Sequence, residues 1–373
     1  MKIKKSRMYI SFVLLCALVI FTSVVVLGSC VNDDDETIIP TIKATRTSVD
    51  VEKTIRNLET KGVAFSSRPK LKDFVYSDFT FNKTHIQGLA RYKDFSLFTI
   101  NGDPDKKDSA SSTYYLYIVN DTNRYPLKRI LPPKVPDFPE DAIMTHTNSM
   151  QVTGDYLIVS VDDESGKYPG NWLWFYDLAP IPTGGDPVLR HMTHVDMQVS
   201  ACGSVTIGDR EALVLASPDG NLLVSDIPDD ESDPSSLNFI KYQKSEDSDT
   251  GRYPQAMALL TDSQNRLWHL LLDYGGKGNG ETPDYANYVV LYSFEFLEDT
   301  TYRYKEVVPS FEVLPFDSFL FALACHFRFA GTAQVQEDGS FWIFSTQSIP
   351  VSCLFGVHSR SYFPMCVYKE KTE

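Results

Sequence analysis

Thr84-His85-Ile86-Gln87-Gly88-Leu89-Ala90-Arg91-Tyr92-Lys93-Asp94-Phe95-Ser96-Leu97-Phe98-Thr99-Ile100-Asn101 can be laid without a gap on residues 145–162. The Thr-His pair, a Gln or Asn, a small residue, an apolar residue, an Asp and an aromatic all fall in register. A looser third copy starts at Thr193-His194-Val195-Asp196 and runs on through residues 210–216. The fourth covers 255–271 around the turn Asp262-Ser263-Gln264-Asn265, and the fifth covers 329–344 around Glu337-Asp338-Gly339. A unit that recurs at intervals of tens of residues signals a repeat architecture.

Each copy has the same grammar: a small-and-apolar strand, a tight polar turn, a β-branched or aromatic strand, a variable loop, then an aromatic strand. Third strands read at 114–119, 172–176, 222–225 and 288–292, and fourth strands at 127–130, 188–192, 238–242 and 305–308. Four-stranded antiparallel units repeated about a ring are β-propeller blades. The expected fold is therefore all-β, a single β-propeller of five blades, with six as the alternative because long loops blur the count. The last copy has one further strand, near 362–368, so its missing outer strand is expected from Asp73-Phe74-Val75-Tyr76. Only residues 51–58 suit a helix.

The N-terminus carries a separate message. Lys2, Lys4, Lys5 and Arg7 precede an uncharged, apolar run from Met8 to Gly28, the pattern of an export signal. Leu27-Gly28-Ser29-Cys30 resembles the lipobox of bacterial lipoproteins, which implies cleavage before Cys30 and its lipidation. Val31-Asn32-Asp33-Asp34-Asp35-Glu36 resembles the acidic export signal of surface lipoproteins of Bacteroidota, which implies display on the outer face of the outer membrane. The periplasmic face is the alternative. The expected organisation is a signal peptide over 1–29, a tether and leader over 30–72, and the propeller over 73–373. Acyl chains would supply the membrane affinity.

Removing the four cations of the signal takes the net charge from −14 to near −18, a poor match for nucleic acid. No metal-type CxxC, HExxH or Gly-x-Ser-x-Gly occurs, and nothing calls for a cofactor. Cys202, Cys325, Cys353 and Cys366 can pair in an oxidising compartment, and Cys353 with Cys366 is the pair nearest in sequence.

First strands of a propeller line its channel, so His85, His146, His194 and His326 are expected near one mouth. Such a ring suits a metal or general-base chemistry, or it locks strands by hydrogen bonds. Gln87, Asn148 and Asp196, two residues on from their histidines, would give a polar lining for a hydroxylated ligand. Tyr168, Trp172, Tyr253 and Tyr274 are candidates for a stacking platform, and the acid runs 162–164 and 229–231 for calcium or solvated turns.

The expected function is a lipid-anchored module that captures a glycan or protein ligand. The alternatives are a glycan-degrading hydrolase or lyase with a His/carboxylate site at the mouth, and a structural subunit of an envelope complex. Protease added to intact cells should remove the wild-type protein. Protection that persists until the outer membrane is opened would put the domain in the periplasm, and Cys30→Ala should abolish anchoring in either place.

Overall fold

The computed structural model describes residues 39–43, 46–65, 86–101, 114–121, 128–130, 142–249, 256–274, 287–298, 300–315, 325–346 and 365–371. Met1–Ile39 and Pro40–Glu373 are separate units, and the second carries the fold. It opens with a helix, α1 (Val51–Arg56), and a short strand, β1 (Val63–Ala64). Blade 1 then comprises β2 (Ile86–Tyr92), β3 (Phe95–Ile100), β4 (Tyr115–Asn120) and β5 (Lys128–Ile130). Blade 2 comprises β6 (His146–Thr153), β7 (Tyr156–Asp162), β8 (Asn171–Asp177) and β9 (Val188–Val195). β10 (Ala201–Ile207), β11 (Arg210–Ala216), β12 (Leu222–Asp226) and β13 (Ile240–Lys244) make blade 3. β14 (Ala256–Thr261), β15 (Leu267–Tyr274), β16 (Asn287–Phe296) and β17 (Thr301–Val313) make blade 4. Blade 5 is β18 (His326–Val335), β19 (Phe341–Thr346) and β20 (Met365–Tyr368), completed by β1. The chain is a five-bladed β-propeller.

Local chemistry explains the repeat. The first residue of each two-residue inner hairpin turn in blades 1 to 3 has positive φ: Lys93 (50°), Gly154 (63°) and Gly208 (65°). Such turns carry the twist that antiparallel strands need. Blade 4 instead folds its turn around Asp262, whose carboxylate accepts from the Gln264 and Arg266 backbone N–H groups at 2.8 and 2.9 Å. Strand faces then bury in pairs: Ile86, Phe98 and Tyr117 meet Phe344 and Val367, and Leu97 and Leu116 meet Met150, Val159 and Trp174. Five apolar layers of this kind, one per pair of neighbouring blades, close the ring. Blades 3 and 4 are additionally fused at their rims, where β13 pairs with β17 in parallel.

The leader departs from expectation. The compact unit begins at Pro40 rather than 73, and the closing strand is β1, where Val63 and Ala64 pair with Val367 and Cys366. Residues 73–76 lie outside the described residues. Ile42 enters the layer between blades 2 and 3, while Val51, Ile55 and Leu58 enter the layer between blades 4 and 5. Their burial explains why this stretch joins the disc instead of serving as a spacer. The third repeat also begins later than expected: Thr193-His194 ends the outer strand β9, and the inner strand starts at Ala201. Cross-strand pairing of β9 with β8 continues to Val195 opposite Asn171, and only the small, buried Ala201, Cys202 and Gly203 suit the axis. Cys202, Cys325 and Cys366 are buried and form no disulfide with one another, and Cys353 lies outside the described residues.

Arg91 fastens blade 1 to blade 5. Its buried guanidinium lies 4.7 Å from the Phe65 ring centroid and 4.8 Å from that of Phe344. It donates to Gln334 Oε1 at 2.6 Å and Ser96 Oγ at 2.5 Å, and it pairs with Asp121. Removing one partner of a buried ion pair leaves the other charge uncompensated, at a cost of about 3–5 kcal/mol. Arg91→Ala should lower unfolding stability by that amount in urea titrations, whereas a change within experimental error would show that the seam holds without it.

Candidate functional site

Pairing of Ile86 with Ile100 and of His146 with Asp162 puts the starts of the inner strands at one end of the disc. The chain leaves and re-enters at this same end around 102–113, 275–286 and 347–364. The short inner hairpins lie at the other end. The first end is the mouth, and it is where the two most similar repeats place their polar residues.

The inner ladders of blades 1 and 2 are both irregular there. Register shifts between Ile86 and Gly88 in β2 and between Thr147 and Ser149 in β6 leave Gln87 and Asn148 as the extra, bulged residues. These are equivalent positions of the gapless repeat. A third shift, between His326 and Gly331, disturbs β18 of blade 5, while β10 and β14 pair regularly with β11 and β15. Bulges re-aim side chains and are enriched beside functional sites. Gln87 and Asn148 are both buried, and the Asn148 amide nitrogen has no hydrogen-bond partner among the described residues. An unsatisfied buried donor costs about 1–3 kcal/mol. Around it the seam is tied by Thr99 Oγ1 to Thr147 Oγ1 at 2.9 Å and by the Thr147 N–H donating to Asn101 Oδ1 at 3.4 Å.

His146 opens β6, with its Nδ1 2.8 Å from Asp162 Oδ1. Burial opposes protonation of the imidazole, but the Asp162 hydrogen bond and the charges of Asp162 and Glu164 prevail and raise its pKa. Thr145 Oγ1 donates to Glu164, and Asp163 turns inward to accept from the backbone of Ile143, Ser165, Lys167 and Tyr168. The acid run 162–164 is thus divided between an imidazole, a hydroxyl and a turn. Among the described residues no group of three or more His, Cys, Asp or Glu side chains is placed to hold a metal ion.

The remaining expected residues are scattered. His85 lies outside the described residues, as does the side chain of His326, although its backbone starts β18. His194 is exposed on the outer strand of blade 2, where its Nε2 lies 2.8 Å from Pro169 O and its ring packs on Trp172 at 5.1 Å. It is therefore no part of an inner ring. Asp196 lines a cleft of about 250 Å³ together with Gln198, Asp219, Asn221 and Lys241. Trp172 is a strand residue beside His194 rather than a loop platform; Tyr253 and the Tyr274 side chain lie outside the described residues.

One residue that repeat analysis did not single out bonds across the inner strands. Gln151 Nε2 donates to Met257 O at 2.6 Å, a bond from blade 2 to blade 4 that passes blade 3. Neither partner carries a charge or motif that marks it in the sequence.

No family model matches the sequence, and no curated protein matches it. Similar solved structures do occur. A Bombyx mori GH32 β-fructofuranosidase shares 13% identity over 75% of this chain at a TM-score of 0.38, and the chain spans 60% of that enzyme's length. A B. megaterium levansucrase shares 12% identity, with 89% of this chain and 90% of that one covered, at a TM-score of 0.44. For the GH43 β-xylosidase/α-arabinofuranosidase of a compost microbial metagenome the values are 10%, 84%, 96% and 0.40.

A raised folded-state pKa means that His146 adds stability below the ordinary imidazole range and loses it as pH climbs through the raised value. NMR titration should find its midpoint above about 6.5, and Asp162→Asn should bring it down. An unchanged midpoint in that variant would show that the pair does not control the imidazole.

Proposed function

We propose that the protein is a lipid-anchored envelope module whose propeller mouth captures a glycan. One observation carries the reading: equivalent bulges in blades 1 and 2 set two buried amides, Gln87 and Asn148, at the start of the inner strands, and the Asn148 nitrogen has no partner among the described residues. A primary amide both donates and accepts, which matches a sugar hydroxyl that does the same. The lipobox-like Leu27-Gly28-Ser29-Cys30 and the acidic residues after it support display from a membrane tether.

A second reading rests on the His146–Asp162 pair, 2.8 Å apart at the same mouth. With Nδ1 engaged by the carboxylate, Nε2 is left to move a proton, the arrangement of a general base. Here the protein would cleave the glycan that it binds.

Full-length protein in detergent, screened on a glycan array and then titrated calorimetrically with the best ligand, separates the two. Asn148→Ala should weaken binding roughly fivefold, the equivalent of about 1 kcal/mol for one hydrogen bond. Binding indifferent to both Asn148→Ala and Gln87→Ala would remove the mouth as the site. Release of reducing ends that disappears in His146→Gln but survives in Asn148→Ala would establish the enzyme reading.

A further inference from the structure

Beneath the Gln151–Met257 bond lies a second space, open at the hairpin end and about 1280 Å³ in volume. Drug-sized ligands occupy roughly 300–1,000 Å³, so this cavity has room for several sugar rings or a similarly extended molecule. Its lining differs from that of the mouth. The deep wall carries the buried Gln151, Thr153 and Thr332, together with Cys202 and Leu259. Aromatic surface comes from Phe65, Tyr92 and Trp342, the indole of Trp342 lying 3.4 Å from the Lys369 ammonium.

Three cations and five carboxylates line this cavity, and the inner ones are engaged by neighbours. Arg91 and Asp121 neutralise each other, and Asp155 is engaged by the Tyr92 hydroxyl at 2.7 Å and by Thr41. Asp338 accepts from Ser340 N–H and Oγ at 2.9 and 2.6 Å. That leaves Lys43 and Lys93 against Asp94 and Glu337 at the exposed rim. A wall with a small excess of carboxylates disfavours an anion, and its hydroxyl and amide groups suit a neutral polyol. Its hydroxyls replace water at the polar groups, and its C–H groups meet Trp342, the one of the three rings that is partly exposed.

Thr41 and Lys43 of the leader are part of this wall. They are held by Asp155 N–H donating to Thr41 O at 2.9 Å, by Thr41 N–H and Oγ1 donating to Asp155 Oδ2 at 3.4 Å, by Ile42 N–H donating to Glu231 O at 2.8 Å and by the buried Ile42 side chain. We propose that the hairpin-end cavity is a second binding site, specific for a neutral oligosaccharide, in which residues 41–43 of the leader form one wall. The site is distinct from the mouth, since Gln87, His146 and Asn148 are not among the residues that line it. Its occupation clamps the leader onto the disc.

Full-length protein in detergent is titrated with cellotetraose, maltotetraose, xylotetraose and mannotetraose at millimolar concentration. Tryptophan fluorescence and the rate of trypsin cleavage after Lys43 are followed together. At least one sugar should change the emission and slow the cut severalfold. Trp342→Ala should abolish both effects, and Thr332→Val, which keeps the shape and removes a hydroxyl, should weaken binding roughly fivefold without altering the melting temperature. Asn148→Ala should leave both unchanged, so failure of the mouth is distinguishable from failure of this site. The proposal is overturned if no tetrasaccharide alters either signal, if the cut after Lys43 is as fast with sugar bound, or if the response survives Trp342→Ala and Thr332→Val.

Discussion

Five inner strands crowd one axis, and the room they have there governs the rest of the molecule. A side chain at Gly88 would run into Thr99 of its own blade and Met150 of the next, one at Gly203 into Leu259, and one at Gly331 into Leu272 and Ala256. These glycines occupy corresponding places counted back from the inner hairpins, and the repeat puts Ser149 there in blade 2. Backbones this close leave no open pore at mid-height. Gln151 can therefore reach Met257 across the disc. Above the constriction the ladders of blades 5, 1 and 2 lose register, and polar side chains gather where strand pairing has been given up.

Much of this was legible in the sequence because blade grammar is local. Turn residues, strand alternation and the gapless match of 84–101 with 145–162 depend on neighbours in the chain, and all five blades follow from them. Two long-range features were not legible. Thr193-His194 imitates the start of an inner strand, and only the continued pairing of β9 with β8 shows that it ends an outer one. The closing strand has just two residues, Val63 and Ala64, too short to announce itself by alternation.

The His146 partner shows a subtler limit. Counting back from the Thr153–Tyr156 turn in an unbroken ladder would set His146 opposite Asp163. The bulge at Asn148 shifts the register by one and brings Asp162 there, which frees Asp163 to organise the following turn. A single inserted residue thus decides both which amide turns away from the ladder and which carboxylate meets the imidazole. Neither assignment can be read from residue types alone.

Blade 5 draws its outer strand from one end of the chain and its other three from the opposite end. A ribosome releases Val63 and Ala64 long before it reaches Met365–Tyr368, so no partially synthesised chain can finish the ring. The early segment must wait, with Phe65, Ile55 and Val51 still lacking their cover. Closure of the ring is therefore a late event that waits for the synthesis of β20. The clasp that completes the molecule thus also sets the order in which it is assembled.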